Sequence, residues 1–399
     1  WTSPRRRAAD VAPRGAGRPV EVALAAFKGA LPAAAASRAV AAGVRLTAEG
    51  TPTRVVPVAD GGEGTMEALV AASGGRTRGG LVHDPLGRMV EAHIGELPGH
   101  TAVVELAQAS GFERLADAER DAEATSTLGT GEQIRAALDL GATRIIIGLG
   151  GSATTDGGMG LARALGVRFL DADGRELAGR GADLARVARI DVSQRDPRVE
   201  HTEIVVACDV TNPLSGPDGA AHVFGPQKGA SPAAVARLDA GLRAYGDVLA
   251  AQTGHDVAAM PGAGAAGGAA AGLVALMGAT LTPGAELVLA AAGLPAALDG
   301  AALCITGEGR LDAQTATGKA ASAVAAAAER AGVPCVGVCG QLDLSPGALR
   351  RLGFAAAFPI NPALVRLPDA LEATEANLAA TGAAIGGLWA AAGRSYTEV

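Results

Sequence analysis

The chain has 399 residues, 49% of them hydrophobic but only 3% aromatic, and a formal net charge of −7. That length provides for two domains whose cores must be built from Ala, Val, Leu and Ile. The acidic balance and the scarcity of stacking side chains exclude a footprint for nucleic acid, which leaves a small molecule as the expected ligand.

Residues 1–18 are rich in Arg and Ala and lack the apolar centre of a secretory signal, so they are expected to form a disordered tail. Apolar runs at 20–25 and 53–58 read as parallel strands around an Ala-rich helix over 31–49, and 63–72 continues as a second helix. After Gly75 the rhythm changes to three β-like runs, 78–83, 89–95 and 101–106, joined by turn signals at Asp84-Pro85-Leu86-Gly87 and Pro98-Gly99, which predicts a meander. A helix over 129–140, a strand at 145–148, a helix over 158–165, a strand at 204–207 and a long helix over 232–253 follow. Residues 257–285 contain no charge, but they are mostly Gly and Ala with Pro261 and Pro283 among them. They read as a glycine loop feeding a buried helix, and no membrane span is expected. Strands at 302–305, 334–338 and 355–359 then alternate with helices, the last over 370–391.

The two ends share one parallel rhythm. The expected class is α/β: a doubly wound open parallel sheet, Rossmann- or flavodoxin-like, built from 19–75 plus 284–395, with 76–283 inserted as a second α/β domain. Cys208, Cys304, Cys335 and Cys339 lie in or beside apolar runs and read as reduced, buried thiols of a cytoplasmic protein. Cys335 and Cys339 share one face of a strand, but no second pair or histidine completes a zinc set, so no transition metal is assigned.

Four stretches combine a strand end, glycines and charge, the place where open α/β sheets bind ligands. The run 145–158 is an apolar strand emptying into Gly148-Leu149-Gly150-Gly151-Ser152-Ala153-Thr154-Thr155-Asp156-Gly157-Gly158. Gly150 and Gly151 let backbone N–H groups approach an anion, Ser152 adds a hydroxyl, and Asp156 can hold a metal or accept a proton; a plain packing turn is the alternative. Asp60-Gly61-Gly62-Glu63-Gly64-Thr65 offers two carboxylates at a helix start, or simply a turn with a capping box. Asp209 ends a strand near Asn212, and Lys228 follows in Phe224-Gly225-Pro226-Gln227-Lys228-Gly229. Asp209 could bind Mg2+ and Lys228 a phosphate, or they form an Asx turn and a solvated charge. Thr306-Gly307-Glu308-Gly309-Arg310-Leu311-Asp312, followed by Gly318-Lys319, sets acids and cations close to a strand end. Phosphoryl transfer needs such a set, and for this block function outweighs a structural ion-pair cluster.

With these blocks in order along residues 20–390, the chain resembles the bacterial two-domain, type I, glycerate kinases. The matching pieces are DGGEGT from Asp60, ELAQASG from Glu105, GTGE from Gly129, GLGGSATTDGG from Gly148, CDVTNPL from Cys208, VFGPQKGA from Val223, GAGAAGG from Gly262 and TGEGRLDAQTATGK from Thr306. The resemblance implies transfer of the γ-phosphoryl group of ATP to D-glycerate with Mg2+, the 2-phospho product being favoured over the 3-phospho product. It implies catalytic roles for Asp60, Asp209, Glu308, Arg310, Asp312 and Lys319, with Asp209 and Glu308 on the metal. Lys28, Glu63, Gly150, Gly151, Ser152, Asp156, Asn212, Lys228, Gly307 and Gly309 would hold substrate and phosphate in a cleft that closes between the domains. A homodimer is left open. The first strand departs from the family pattern Pro-Asp-Ser-Phe-Lys-Gly-Ser: here Ala25-Ala26-Phe27-Lys28-Gly29-Ala30 has neither the acid nor the hydroxyls, and Ala321 replaces a later proline. A catalytically impaired homologue that binds nucleotide or glycerate as a sensor, and a kinase for another short hydroxy acid, are the alternatives.

Overall fold

The computed structural model describes residues 17–392 except 60, 63, 314 and 316–318. The expected tail thus lies almost wholly outside the described residues. In chain order the strands are β1 (Val20–Leu24), β2 (Thr53–Val55), β3 (Arg76–His83), β4 (Met89–Leu97), β5 (Thr101–Glu105), β6 (Arg144–Gly148) and β7 (Arg168–Leu170). They continue as β8 (Arg189–Asp191), β9 (Glu203–Ala207), β10 (Thr280–Thr282), β11 (Leu303–Leu311), β12 (Cys335–Leu342) and β13 (Phe354–Pro359). The chain forms two compact units, one from Ala59–Ala291 and one from the segments on either side of it.

The flanking segments build a five-stranded sheet in the order β13-β12-β11-β1-β2, every neighbouring pair parallel. β1 is buried along its whole length because it lies inside the sheet, which explains its nearly unbroken apolar run. β2 stops at Val55 where the sequence predicts a strand to 58. Pro57 has no N–H to donate, so the chain continues with isolated bonds from Val56 N to Val22 O and from Val58 N to Leu24 O. Helices Ala33–Thr47 and Thr374–Ala392 pack on this sheet, burying Val40, Val44, Leu378 and Ile385 with Val22, Leu24 and Ile305.

β11 differs most from expectation. The glycines after Ile305 read as a loop, yet the strand runs on to Leu311, and Glu308 and Arg310 pair with Cys339 and Gln341 of β12. A Cβ on Gly307 would lie 1.9 Å from the Val338 carbonyl oxygen, so a close approach of two backbones requires this glycine.

Residues 59–291 build a six-stranded sheet, β10-β9-β6-β5-β4-β3, in which β10, β9, β6 and β5 are parallel and the β3–β4–β5 meander is antiparallel. Ile145, Ile147, Val104, Val206, Met159, Phe169 and Tyr245 belong to its core. The uncharged stretch contains the buried helix Ala269–Met277, and no helix among the described residues is long and apolar enough to cross a membrane. The units divide at 58/59 and 291/292, whereas the pattern change at Gly75 suggested 75/76 and 283/284. Helix Thr65–Ser73 explains the difference: Met66 and Val70 pack over Gly95 of β4, and Met66 N donates to Glu105 of β5. At the other end Gly284 N donates to Asp209, holding helix Gly284–Ala291 to the same unit.

Candidate active site

In the second unit, β5, β6 and β9 end side by side in Glu105, Gly148 and Ala207; the chain leaves β6 and β9 in polar loops and β5 directly in helix Leu106–Ser110. The loop after β6 packs closely on the segment around Gly61. A Cβ on Gly148 would lie 2.7 Å from Gly61 O and one on Gly150 2.7 Å from Gly62 Cα, so glycine at both positions lets the loop over 148–158 lie against the segment around Gly61. Asp60 and Glu63 themselves lie outside the described residues.

Asp156 is fully buried. Its carboxylate accepts from Thr127 N at 2.7 Å, Thr127 Oγ1 at 2.8 Å, Gly158 N at 3.0 Å and Gly160 N at 3.1 Å. Burial pushes its pKa up against the pull of these donors. Asp156 therefore ties the loop to the segment at Thr127 and to the start of helix Met159–Ala164, and does not present an open carboxylate. Ser152 Oγ lies 3.0 Å from Thr154 Oγ1 and accepts from Thr154 N at 3.2 Å. Thr155 Oγ1 is buried with no hydrogen-bond partner among the described residues. Gly150 is half-buried and Gly151 exposed, so the loop's outer surface is glycine.

Lys228 is not a solvated charge. It is 2% exposed, and its Nζ donates to Thr154 O at 2.6 Å and Ser152 Oγ at 3.4 Å. Burial pushes its pKa down to about 7, with Asp156 opposing. Asp209 is exposed beyond β9 and accepts from Gly284 N at 2.7 Å, while Asn212 Nδ2 donates to Asp218 O at 2.8 Å. Glu105, unassigned from sequence, is 3% exposed; its Oε1 accepts from Met66 N at 2.9 Å, and burial raises its pKa. The signal for it was a carboxylate at the end of an apolar strand, the same signal that drew notice to Asp209.

In the first unit the corresponding edge holds Ala25 to Lys28 and the far half of β11. Ala25 N donates to Gly307 O at 2.9 Å, and Lys28 is exposed. A Cβ on Gly309 would lie 4.0 Å from Lys28 N, so the two segments adjoin. Arg310 Nε donates to Asp343 Oδ2 at 2.8 Å and lies 3.4 Å from Asp312 Oδ2. That guanidinium, with Gln341, holds the Asp343 carboxyl below the usual carboxylate range. Thr315 Oγ1 donates to Glu308 Oε1 at 3.5 Å and accepts from Asp312 N at 3.0 Å. Lys319 directly precedes helix Ala320–Arg330. The structure thus brings Glu308, Arg310 and Asp312 together and adds Asp343, which the sequence reading missed although it too closes an apolar strand. Gly307 is buried between strands and is a packing residue, while Gly309 is half-buried at this edge.

Among the described residues no three His, Cys, Asp or Glu side chains converge as a metal cluster. Exposed or half-buried carboxylates such as Asp209 and Glu308 are hard oxygen donors, which suits a cation bound through one or two protein ligands with substrate phosphates completing its shell.

The family model described as "Glycerate kinase family" matches residues 20–390. A glycerate kinase of Halalkalibacterium halodurans is 44% identical over 87% of this chain and 91% of its own length. A glycerate 2-kinase of Escherichia coli is 43% identical over 88% of this chain and 93% of its own length. The crystal structure of a putative glycerate kinase 2 from Salmonella typhimurium LT2 superposes with a TM-score of 0.87 at 42% identity, covering 94% of this chain and 99% of that one. A family match over residues 20–390 and relatives 43–44% identical over nearly nine-tenths of the chain place it in the Glycerate kinase family.

Proposed function

We propose that this protein is an ATP-dependent kinase that phosphorylates D-glycerate on its 2-hydroxyl. The observation that carries the reading is the family match over residues 20–390, joined by the name glycerate 2-kinase on the Escherichia coli relative. In the reaction the substrate hydroxyl oxygen forms a bond to the γ-phosphorus, the bond to the β,γ-bridging oxygen breaks, ADP leaves, and the hydroxyl proton passes to a carboxylate. Asp60, Asp209, Glu308 and Asp312 are the candidates for that base, and the chemistry asks the protein chiefly for position and for charge around the moving group.

The loop over 148–158 supplies glycine backbone and the Ser152 hydroxyl for an oxyanion, and Asp156 keeps it rigid. Lys28 and Lys319 are the cations we assign to phosphate oxygens. Arg310, braced by Asp343, keeps its guanidinium at the edge where Glu308 and Asp312 lie. Asp209 and Glu308 are each candidates for a Mg2+ ligand, and Mg2+ when bound would neutralise phosphate charge.

A coupled ADP-release assay with D-glycerate, the product identified by NMR, tests the reading. The expected outcome is glycerate-dependent ADP release with 2-phosphoglycerate as product. Ala25 and Ala26, at the end of β1, favour a second reading in which a catalytically impaired chain binds the ligands as a sensor. No turnover above blank, with thermal stabilisation by glycerate or ATP retained, would replace the kinase reading with that one.

A further inference from the structure

Lys228 is buried, and removing an ammonium group from water is unfavourable unless something in the site uses it. Its backbone is locked in the short turn Pro226–Lys228, with Lys228 N donating to Gly225 O and Gly229 packed against Arg120 O. Its hydrogen-bond acceptors are both atoms of the glycine loop. The neighbouring ionisable groups are engaged elsewhere: Asp156 with Thr127, Gly158 and Gly160, Arg120 with Asp117, and His222 beside Asp239. The Tyr245 hydroxyl is buried too, and burial keeps it protonated. Asp156 thus acts on Lys228 through its field and not through a direct bond.

We propose that Lys228 is a positioning residue of an oxyanion-binding loop: by gripping the Thr154 carbonyl and the Ser152 hydroxyl from the interior, it sets the loop's shape and charge for a carboxylate or phosphate without touching that anion. The inference rests on the proposed function only in taking the anion to be the glycerate carboxylate or a phosphate of ATP. An anion in the loop favours the protonated amine, so its binding draws a proton onto Lys228. Because burial has brought this amine down to about 7, the uptake falls in the neutral range.

The test compares the wild type with Lys228→Met and Lys228→Arg over about pH 6 to about pH 9, across the titration of the buried amine. For the wild type, KM for one substrate is expected to rise with pH through the neutral range. In Lys228→Met that KM is raised about tenfold at the acidic end and its pH dependence is lost, with a smaller change in kcat, the scale of one charge-assisted hydrogen bond. Lys228→Arg, which stays charged, is expected to keep a low KM that does not vary with pH. Movement of KM for glycerate identifies the carboxylate as the anion, and movement of KM for ATP identifies a phosphate. A folded Lys228→Met with both KM values and their pH profiles unchanged would overturn the proposal. If Lys228→Met does not fold, Lys228→Arg decides: a flat KM profile supports the proposal and a retained wild-type profile overturns it. Thermal stabilisation by inorganic phosphate, expected to be strong at pH 6 and lost in Lys228→Met, is read without turnover. A wild type that does not phosphorylate glycerate therefore defeats the kinase reading while the phosphate result still judges Lys228.

Discussion

Glu21 is fully buried on β1, in register with Arg54 of β2 on one side and Cys304 of β11 on the other, and Cys304 in turn with Cys335 of β12. Arg54 Nε donates to its Oε2 at 2.9 Å, while Oε1 has no partner among the described residues. Burial raises the carboxyl from 4.5 to about 7, with Arg54 opposing the shift. Between those values the folded chain holds a proton that the unfolded chain has released, so stability falls as pH rises through the window, by on the order of 3 kcal/mol. Lys228 acts in the opposite sense above 7: the unfolded amine keeps its proton up to 10.5 while the folded one has shed it, so stability recovers as pH rises. Thermal melts across this range should show a minimum near neutrality, and Glu21→Gln should lessen the fall on its acid side, to which the buried Asp156 and Glu105 also contribute. Asp156 shows why such residues are hard to assign from sequence. Glycines and hydroxyls around it announce an anion loop, but nothing local tells that Thr127, remote in the chain, takes up its oxygens.

At the scale of the element, β11 separates two glycines that the sequence presents as equals. Gly307→Ala would drive its Cβ into the Val338 backbone, whereas Gly309→Ala meets its nearest neighbour only at 4.0 Å. The first substitution is expected to destabilise the protein by more than about 3 kcal/mol, since neither parallel strand can move aside. The second should stay within about 1 kcal/mol of the wild type, and denaturant unfolding of both variants checks the contrast. Glycine has low strand propensity, so Thr306 to Asp312 looked like a loop; pairing with β12 overrides that local preference. The same override did not arise for β6 or β9, whose Ile and Val runs name their own conformation, and both strands lie where the pattern put them. Glu308, Arg310 and Asp312 were legible as a cluster because they are close in sequence. Asp343 and Glu105 were not, because only tertiary folding brings Asp343 beside Arg310 across β11–β12 and Glu105 beside helix Thr65–Ser73.

Across the whole molecule, the α/β class, the open parallel sheet made from both chain ends and the inserted second α/β unit with its meander were all legible from periodicity. The limits of the units were not, because helix Thr65–Ser73 looks in sequence like the next turn of a βαβα rhythm while its contacts with β4 and Glu105 belong to the other sheet. The second unit is continuous in sequence and has its own core, so residues 59–291 expressed alone are expected to melt in one cooperative transition followed by circular dichroism. A gradual, non-cooperative melt would show that its core is incomplete. The first unit has no such independence, for β1 lies between β2, made just after it, and β11, made last among its neighbours. On the ribosome, then, β1 is kept waiting: the whole second unit can emerge and close before β1 gains its other partner. Until translation reaches Leu303, Val22 and Leu24 lie on an open edge, and it is this nascent segment, more than the finished enzyme, that a chaperone would have reason to shield.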